Sequence, residues 1–163
     1  MNTQVPKHIH RRAAGISMVE SLVALVVISV GMLGIAGLYM SSLKAGRSAS
    51  LRVQAVNLAS DLSDRIRANR EALVAYNMAA GGTGVSHACT TPSACTPVLV
   101  AENDLFVWSN AVKAALPAGA TGAVTFLDNP AGRPDRYTIV VTWREAGSDV
   151  DASYQLVLEV QTT

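Results

Sequence analysis

The chain has 163 residues, of which 50% are hydrophobic and only 15% charged, with 13 Lys+Arg against 12 Asp+Glu. Soluble domains usually carry about 25% charged residues, so part of this chain is expected to avoid water. A net charge of +1 argues against a general nucleic-acid binder, because such proteins collect Lys and Arg to contact phosphates. The hydrophobic content also excludes a chain that is disordered throughout.

The apolar residues are concentrated near the N-terminus. From Ser21 to Leu43, 23 consecutive residues carry no charge, and 19 of the 28 residues from Ile16 to Leu43 are apolar. A helix of that uncharged length would span about 35 Å, which is enough to cross a hydrocarbon layer of about 30 Å. We therefore predict a membrane-spanning helix over residues 16–43.

A short basic leader, residues 1–15, precedes this helix and contains no acidic residue. Basic residues before an apolar run favour a cytoplasmic N-terminus. Three basic residues lie in the leader, and three follow the run (Lys7, Arg11 and Arg12; Lys44, Arg47 and Arg52). The charge rule alone therefore gives no orientation. A cleaved secretory signal is the alternative interpretation, but its apolar region would be longer than the usual 7 to 15 residues or so.

Two cysteines, Cys89 and Cys95, lie in a segment rich in Thr, Ser and Pro. A structural metal site needs about four ligands, and only His87 lies near them in the sequence. The spacing therefore favours a small disulfide loop, which would place the C-terminal part of the chain in an oxidising compartment.

Glu20 is the one carboxylate at the start of the apolar run. An unpaired charge in or beside hydrocarbon costs several kcal/mol, on the order of 3 by insertion measurements. A cationic partner for Glu20 is therefore expected.

The segment Arg11 to Leu22, RRAAGISMVESL, resembles the prepilin signature of type IV pilins and type II secretion pseudopilins. The resemblance implies cleavage by prepilin peptidase between Gly15 and Ile16 and methylation of the new N-terminus at Ile16. It also implies that Glu20 engages the N-terminal amine of a neighbouring subunit during assembly. Two features depart from the usual family pattern: Ile16 replaces the usual Phe, and the apolar run lacks the helix-breaking proline of many major pilins.

An amphipathic helix is predicted to continue over residues 44–78, because apolar residues recur there every three or four positions. No proline lies between Ile16 and Asn77, so one continuous helix of about 60 residues is compatible with the sequence. The glycines at positions 81, 82 and 84 end this element and indicate a flexible connector.

The remainder, residues 79–163, is predicted to form a periplasmic head. A second helix is expected from about Asp104 to Leu116, with Trp108 on its apolar face. Period-two alternation predicts two strands around Tyr137–Arg144 and Tyr154–Gln161, joined as an antiparallel hairpin, and residues 123–127 form a candidate third strand. The expected fold class is α+β: a pilin-like roll with a long N-terminal helix packed on a small antiparallel sheet.

A weaker resemblance links the Asp104–Gly119 segment and the Val141–Arg144 strand to the PilV group of minor pilins. It implies a minor pilin that is inserted in the inner membrane with its head in the periplasm and is then incorporated in the pilus. The implied partners are prepilin peptidase, other minor pilins, the major pilin, and a tip adhesin. The I-type pseudopilin of a type II secretion system is the nearest alternative, because it shares the same helix.

Two other classes are disfavoured. A pilin for DNA uptake would need a basic head, but from Asn77 onward 4 Lys/Arg face 8 Asp/Glu, a net charge of −4. An anchored periplasmic enzyme would need a nucleophile, base or metal set, and the sequence shows no such pattern. No cofactor, metal ion, nucleic acid or small-molecule substrate is expected.

Overall fold

The computed structural model describes residues 17–89, 94–130 and 133–161. The elements in chain order are helix α1 (Met18–Ala68), a 3-10 helix (Arg70–Tyr76), helix α2 (Pro97–Ala115), and strands β1 (Thr121–Leu127), β2 (Asp135–Arg144) and β3 (Asp151–Val160). The described residues divide into two units, with the boundary between Lys44 and Ala45. The predicted fold class, an apolar N-terminal helix with a small antiparallel sheet in an α+β arrangement, is confirmed.

The core lies in the second unit, between α1, α2 and the sheet. The C-terminal part of α1 buries one stripe completely, formed by Ala55, Ala59, Leu62 and Ile66. Their spacing of three or four residues places them on one helix face. Alternate residues of β2 belong to the same core: Tyr137, Ile139, Val141 and Trp143. Helix α2 contributes a third apolar surface, formed by Leu105, Trp108 and Val112. The apolar residues of the alternation predicted for β2 are therefore those that face the core.

The sheet has three antiparallel strands in the order β1-β2-β3. The predicted hairpin is confirmed, since β2 pairs with β3 along its whole length, and the candidate third strand is β1. Trp143, on the core-facing side of β2, is 1% exposed.

Trp108 joins α2 to α1 and to the sheet. Its indole Nε1 donates a hydrogen bond of 2.8 Å to the backbone carbonyl of Leu58. The ring covers Gly122 of β1 so closely that a Cβ at that position would overlap it. The prediction that Trp108 is a core residue is confirmed.

Helix α2 begins earlier than the sequence indicated, at Pro97 rather than near Asp104. Thr96 caps the helix, because its side-chain oxygen accepts a bond of 3.4 Å from the backbone N–H of Leu99, and proline is favoured at the first helical position. The apolar residues that follow have no helical period of their own, so the cap was the only local signal of the start.

The prediction that one continuous helix extends to about Asn77 was wrong. Helix α1 ends at Ala68, and the following 3-10 segment is interrupted at Leu73, whose φ of 46° and ψ of −120° are not helical. No proline or glycine marks this end. The break is imposed by tertiary contacts, since the Tyr137 hydroxyl donates a 3.1 Å bond to the backbone carbonyl of Leu73.

A polar network connects the residues on both sides of this break to α2. The Tyr76 hydroxyl donates a 2.7 Å bond to Asp104 on α2, and Arg65 near the end of α1 forms an ion pair of 3.0 Å with the same carboxylate. Asn69 donates a 2.8 Å bond to the backbone carbonyl of Pro97. Burial chiefly, and then the neighbouring Asp104, raise the pKa of Tyr76, so the phenol stays protonated and able to donate.

The glycine-rich segment after the break is packed rather than a free connector. A Cβ at Gly84 would overlap the backbone of α2 at Glu102 and Phe106. Gly81, at a φ of +76°, donates a 3.3 Å bond to the carbonyl of Gly122. Glycine is required at position 84 because two backbones approach each other there.

Leu73 provides a test of backbone strain. A bulky residue at positive φ costs on the order of 1–3 kcal/mol, whereas glycine adopts this conformation freely. We expect Leu73→Gly to have a free energy of unfolding about 1 kcal/mol higher than that of the control Leu73→Ala, measured by denaturant unfolding in detergent. Both variants lose the same side chain beyond Cβ. In a helix interior the order would be reversed, so a less stable glycine variant would contradict the strained turn.

Tyr137 provides a test at alkaline pH. Burial chiefly, and then the charge of Asp135, raise the pKa of its phenol to about 12, against about 10 when unfolded. The unfolded chain therefore loses this proton first, and the free energy of unfolding should fall as pH rises from about 10 to 12. We expect Tyr137→Phe to show a shallower fall in pH-dependent denaturation, with a lower stability at neutral pH of about 1 kcal/mol for the lost hydrogen bond. An unchanged alkaline slope would contradict the shift.

Candidate functional site

The N-terminal part of α1 presents apolar side chains on every side. From Met18 to Leu43 the large hydrophobic residues are between 54% and 87% exposed. An exposed apolar surface of this extent is typical of a segment that contacts a membrane or another protein. Within the part of the chain that the structure describes, α1 is the one helix long and apolar enough to cross a membrane by length and composition.

Glu20 lies in the first turn of α1. Ser17 opens the helix, because its side-chain oxygen accepts a 3.2 Å bond from the N–H of Val19 and its carbonyl accepts one of 3.2 Å from Ser21. A carboxylate in the first turn is favoured by the partial positive charge of the helix N-terminus. That stabilisation is only about 0.3–1 kcal/mol at exposed sites, which is less than the cost of placing the charge in hydrocarbon.

Glu20 has no ion pair within the described residues, 17–89, 94–130 and 133–161. Its side chain is exposed, and no other charged residue lies between Ser17 and Leu43. No described residue therefore compensates the charge of this carboxylate. The predicted cleavage and methylation positions, Gly15 and Ile16, lie outside the described residues.

Cys89 and Cys95 form a disulfide, with their Cα atoms 5.5 Å apart. The bond that the sequence predicted is therefore present in the structure. It closes a small loop immediately before α2, in the second unit of the chain.

His87 ties this disulfide segment to α2, a contact that sequence reasoning missed. Its Nε2 lies 2.6 Å from a carboxylate oxygen of Glu102, and its backbone N–H donates a 3.0 Å bond to the side chain of Asn103. The two acceptors are adjacent on α2, but 15 or more residues separate them from His87. No local sequence signal connects them. Among the described residues, no group of three His, Cys, Asp or Glu residues could hold a metal ion.

Two family models match the chain over adjacent segments. The model described as prokaryotic N-terminal methylation motif matches residues 10–36, and the model described as type IV pilin Tt1218 matches residues 37–106. The first contains Glu20 and the predicted cleavage position, and the second contains the disulfide, the strained turn and the start of α2. No curated protein and no solved structure matches.

These two matches support a type IV pilin whose N-terminus carries the methylation motif. With the apolar helix they also support membrane anchoring followed by a place in a pilus. The three strands of the sheet lie outside both matched segments.

Proposed function

We propose that the chain is a minor pilin of the PilV group, which assembles with other subunits of a type IV pilus. The observation that supports it most directly is the exposed apolar surface of α1 with the single carboxylate of Glu20 in its first turn. This part of the chain is also where the methylation motif matches. The role is structural: subunits are held together by their helices, and no reaction is performed on a substrate.

Processing precedes assembly in this proposal. The chain is inserted in the inner membrane through residues 16–43, with the basic leader in the cytoplasm and the head in the periplasm. Prepilin peptidase cuts between Gly15 and Ile16, and the new amine of Ile16 is methylated. A periplasmic head fits the disulfide between Cys89 and Cys95, because such bonds persist in oxidising compartments.

Assembly transfers the helix from lipid to a bundle of pilin helices. Lipid and neighbouring helices are about equally apolar, so burial of the apolar surface contributes little to choosing between them. A charge pair discriminates strongly, because an isolated carboxylate in an apolar environment is unfavourable and a paired one is compensated. Glu20 therefore selects the position in which the N-terminal amine of a neighbouring subunit lies beside it.

The proposed partners are prepilin peptidase, other minor pilins, the major pilin and a tip adhesin. Together with the other minor pilins, this subunit would form a tip complex that primes polymerisation. A small number of copies in each filament is expected from that position.

Replacement of the carboxylate tests the proposed role of Glu20. We expect the Glu20→Ala variant to be inserted and cleaved normally, but its amount in sheared pili should fall at least about tenfold. The reason is that losing a charge pair in an apolar site costs more than about 1.4 kcal/mol. The readout is quantitative immunoblotting of the cell and pilus fractions. Glu20→Asp should recover part of the incorporation, because it keeps the charge.

Glu71 offers a matched control, since it is an exposed acid in the 3-10 segment. Glu71→Ala should enter pili in normal amounts. Normal amounts of Glu20→Ala in the pilus fraction would show that the carboxylate does not direct assembly.

A further inference from the structure

Strand β3 forms an open edge of the sheet. It pairs with β2 from Asp151 to Val160, and within residues 17–89, 94–130 and 133–161 no strand pairs with its other side. The opposite edge is partly closed, because Met78 and Val124 of β1 exchange two backbone hydrogen bonds of 2.8 Å. The outer side of β3 therefore presents unpaired backbone donors and acceptors over a 10-residue strand.

This edge lacks the features that usually prevent strand addition. Natural edge strands are blunted by Lys, Pro, bulges or short length. The sequence of β3, DASYQLVLEV, contains no Lys, Arg, Pro or Gly. Its register against β2 runs without an offset from one end to the other, so no bulge turns the edge away.

The core-facing side of β3 is only partly covered. Leu158 and Val160, at the C-terminal end, are buried. Ala152, Tyr154 and Leu156 lie on the same face, but they are only partly buried where they pack against the core. An additional strand beside β3 would cover the exposed portions of these side chains, because neighbouring strands lie about 4.8 Å apart.

The charges of β3 are satisfied within the sheet. Asp151 pairs with Arg144 at 2.7 Å, and Glu159 pairs with Arg136 at 3.1 Å. Between them, Ala152–Leu158 carries no formal charge. The edge therefore suits an uncharged segment with alternating apolar side chains, and not a basic peptide.

A second copy of β3 fits this edge poorly. If two copies paired in antiparallel fashion about Gln155, Asp151 of each copy would lie opposite Glu159 of the other. Like charges directly opposite each other destabilise a pair of strands. Each acid also has its arginine on its own β2, so no cation would lie between the opposed carboxylates.

We propose that the free edge of β3 binds an extended, uncharged segment of a different pilus subunit by strand addition. Backbone hydrogen bonds supply the affinity in this mode of recognition, and alternate side chains supply the specificity. The inference rests on the proposed function, since the pilus brings another subunit beside the head. In this proposal the sheet edge determines which subunit lies beside the head, a specificity that the helix contacts do not provide.

Site-specific photo-crosslinking in cells tests the contact. A benzoylphenylalanine at Gln155, exposed at the centre of β3, should form an adduct with another pilus subunit. The same group at Thr125, an exposed position on β1, should give at least about tenfold less of this adduct. An adduct between two copies of this chain, or equal adducts from both positions, would overturn the proposal.

A charge on the edge tests its importance. Val157 on β3 is 51% exposed and Val150 in the preceding turn is 75% exposed, so lysine at either position leaves the core intact. Val157→Lys should reduce the Gln155 adduct and incorporation into pili about tenfold, since an edge lysine opposes strand addition, whereas Val150→Lys should leave both unchanged. Equal behaviour of the two variants would overturn the proposed edge contact.

The wild-type chain separates this proposal from the proposed function. If the cleaved wild-type chain is found in pili but Val157→Lys enters them normally, only the edge contact is wrong. If the wild-type chain is absent from pili, the proposed function fails first. Circular dichroism of both lysine variants in detergent should match the wild type, and a loss of structure in Val157→Lys alone would show that the edge supports the fold and not a partner.

Discussion

Glu20 places a carboxylate in the first turn of an apolar helix, where an unpaired charge is unfavourable. The residues around it are exposed hydrophobic side chains, and the described part of the chain supplies no cation for it. A helix dipole stabilises such a group by about 1 kcal/mol at most when it is exposed, which does not offset the loss of water. In the proposed assembly, the N-terminal amine of a neighbouring subunit supplies the missing compensation.

In the second unit, the long helix α1 ends at a point that no proline or glycine marks. Helix α1 stops at Ala68 because the chain beyond it is held by contacts from distant elements. Asp104 of α2 accepts from Tyr76 and pairs with Arg65, while Tyr137 of β2 holds the carbonyl of Leu73. The strain at Leu73 is tolerated because bonds on both sides fix the turn. These contacts join both helices and the sheet into one core.

The sequence predicted those parts of the fold that local pattern determines. The apolar run, the alternation in β2 and β3, and the burial of Trp108 all follow from periodicity, and the cysteine spacing predicted the disulfide. The end of α1 could not be predicted, because Leu73 is an ordinary helix-forming residue whose conformation is set by Tyr137, 64 positions away. The early start of α2 was signalled only by Thr96 and Pro97. The pair of His87 and Glu102 has no sequence signature at all.

The proposed pairing of Glu20 with a neighbouring amine depends on how the N-terminus of the mature protein is processed. Protein purified from cells that contain active prepilin peptidase should be examined by intact mass spectrometry and N-terminal sequencing. We expect a chain that begins at Ile16 with a methylated amine, because that amine is the cation proposed to pair with Glu20 of a neighbouring subunit. A chain that still begins at Met1 would contradict it.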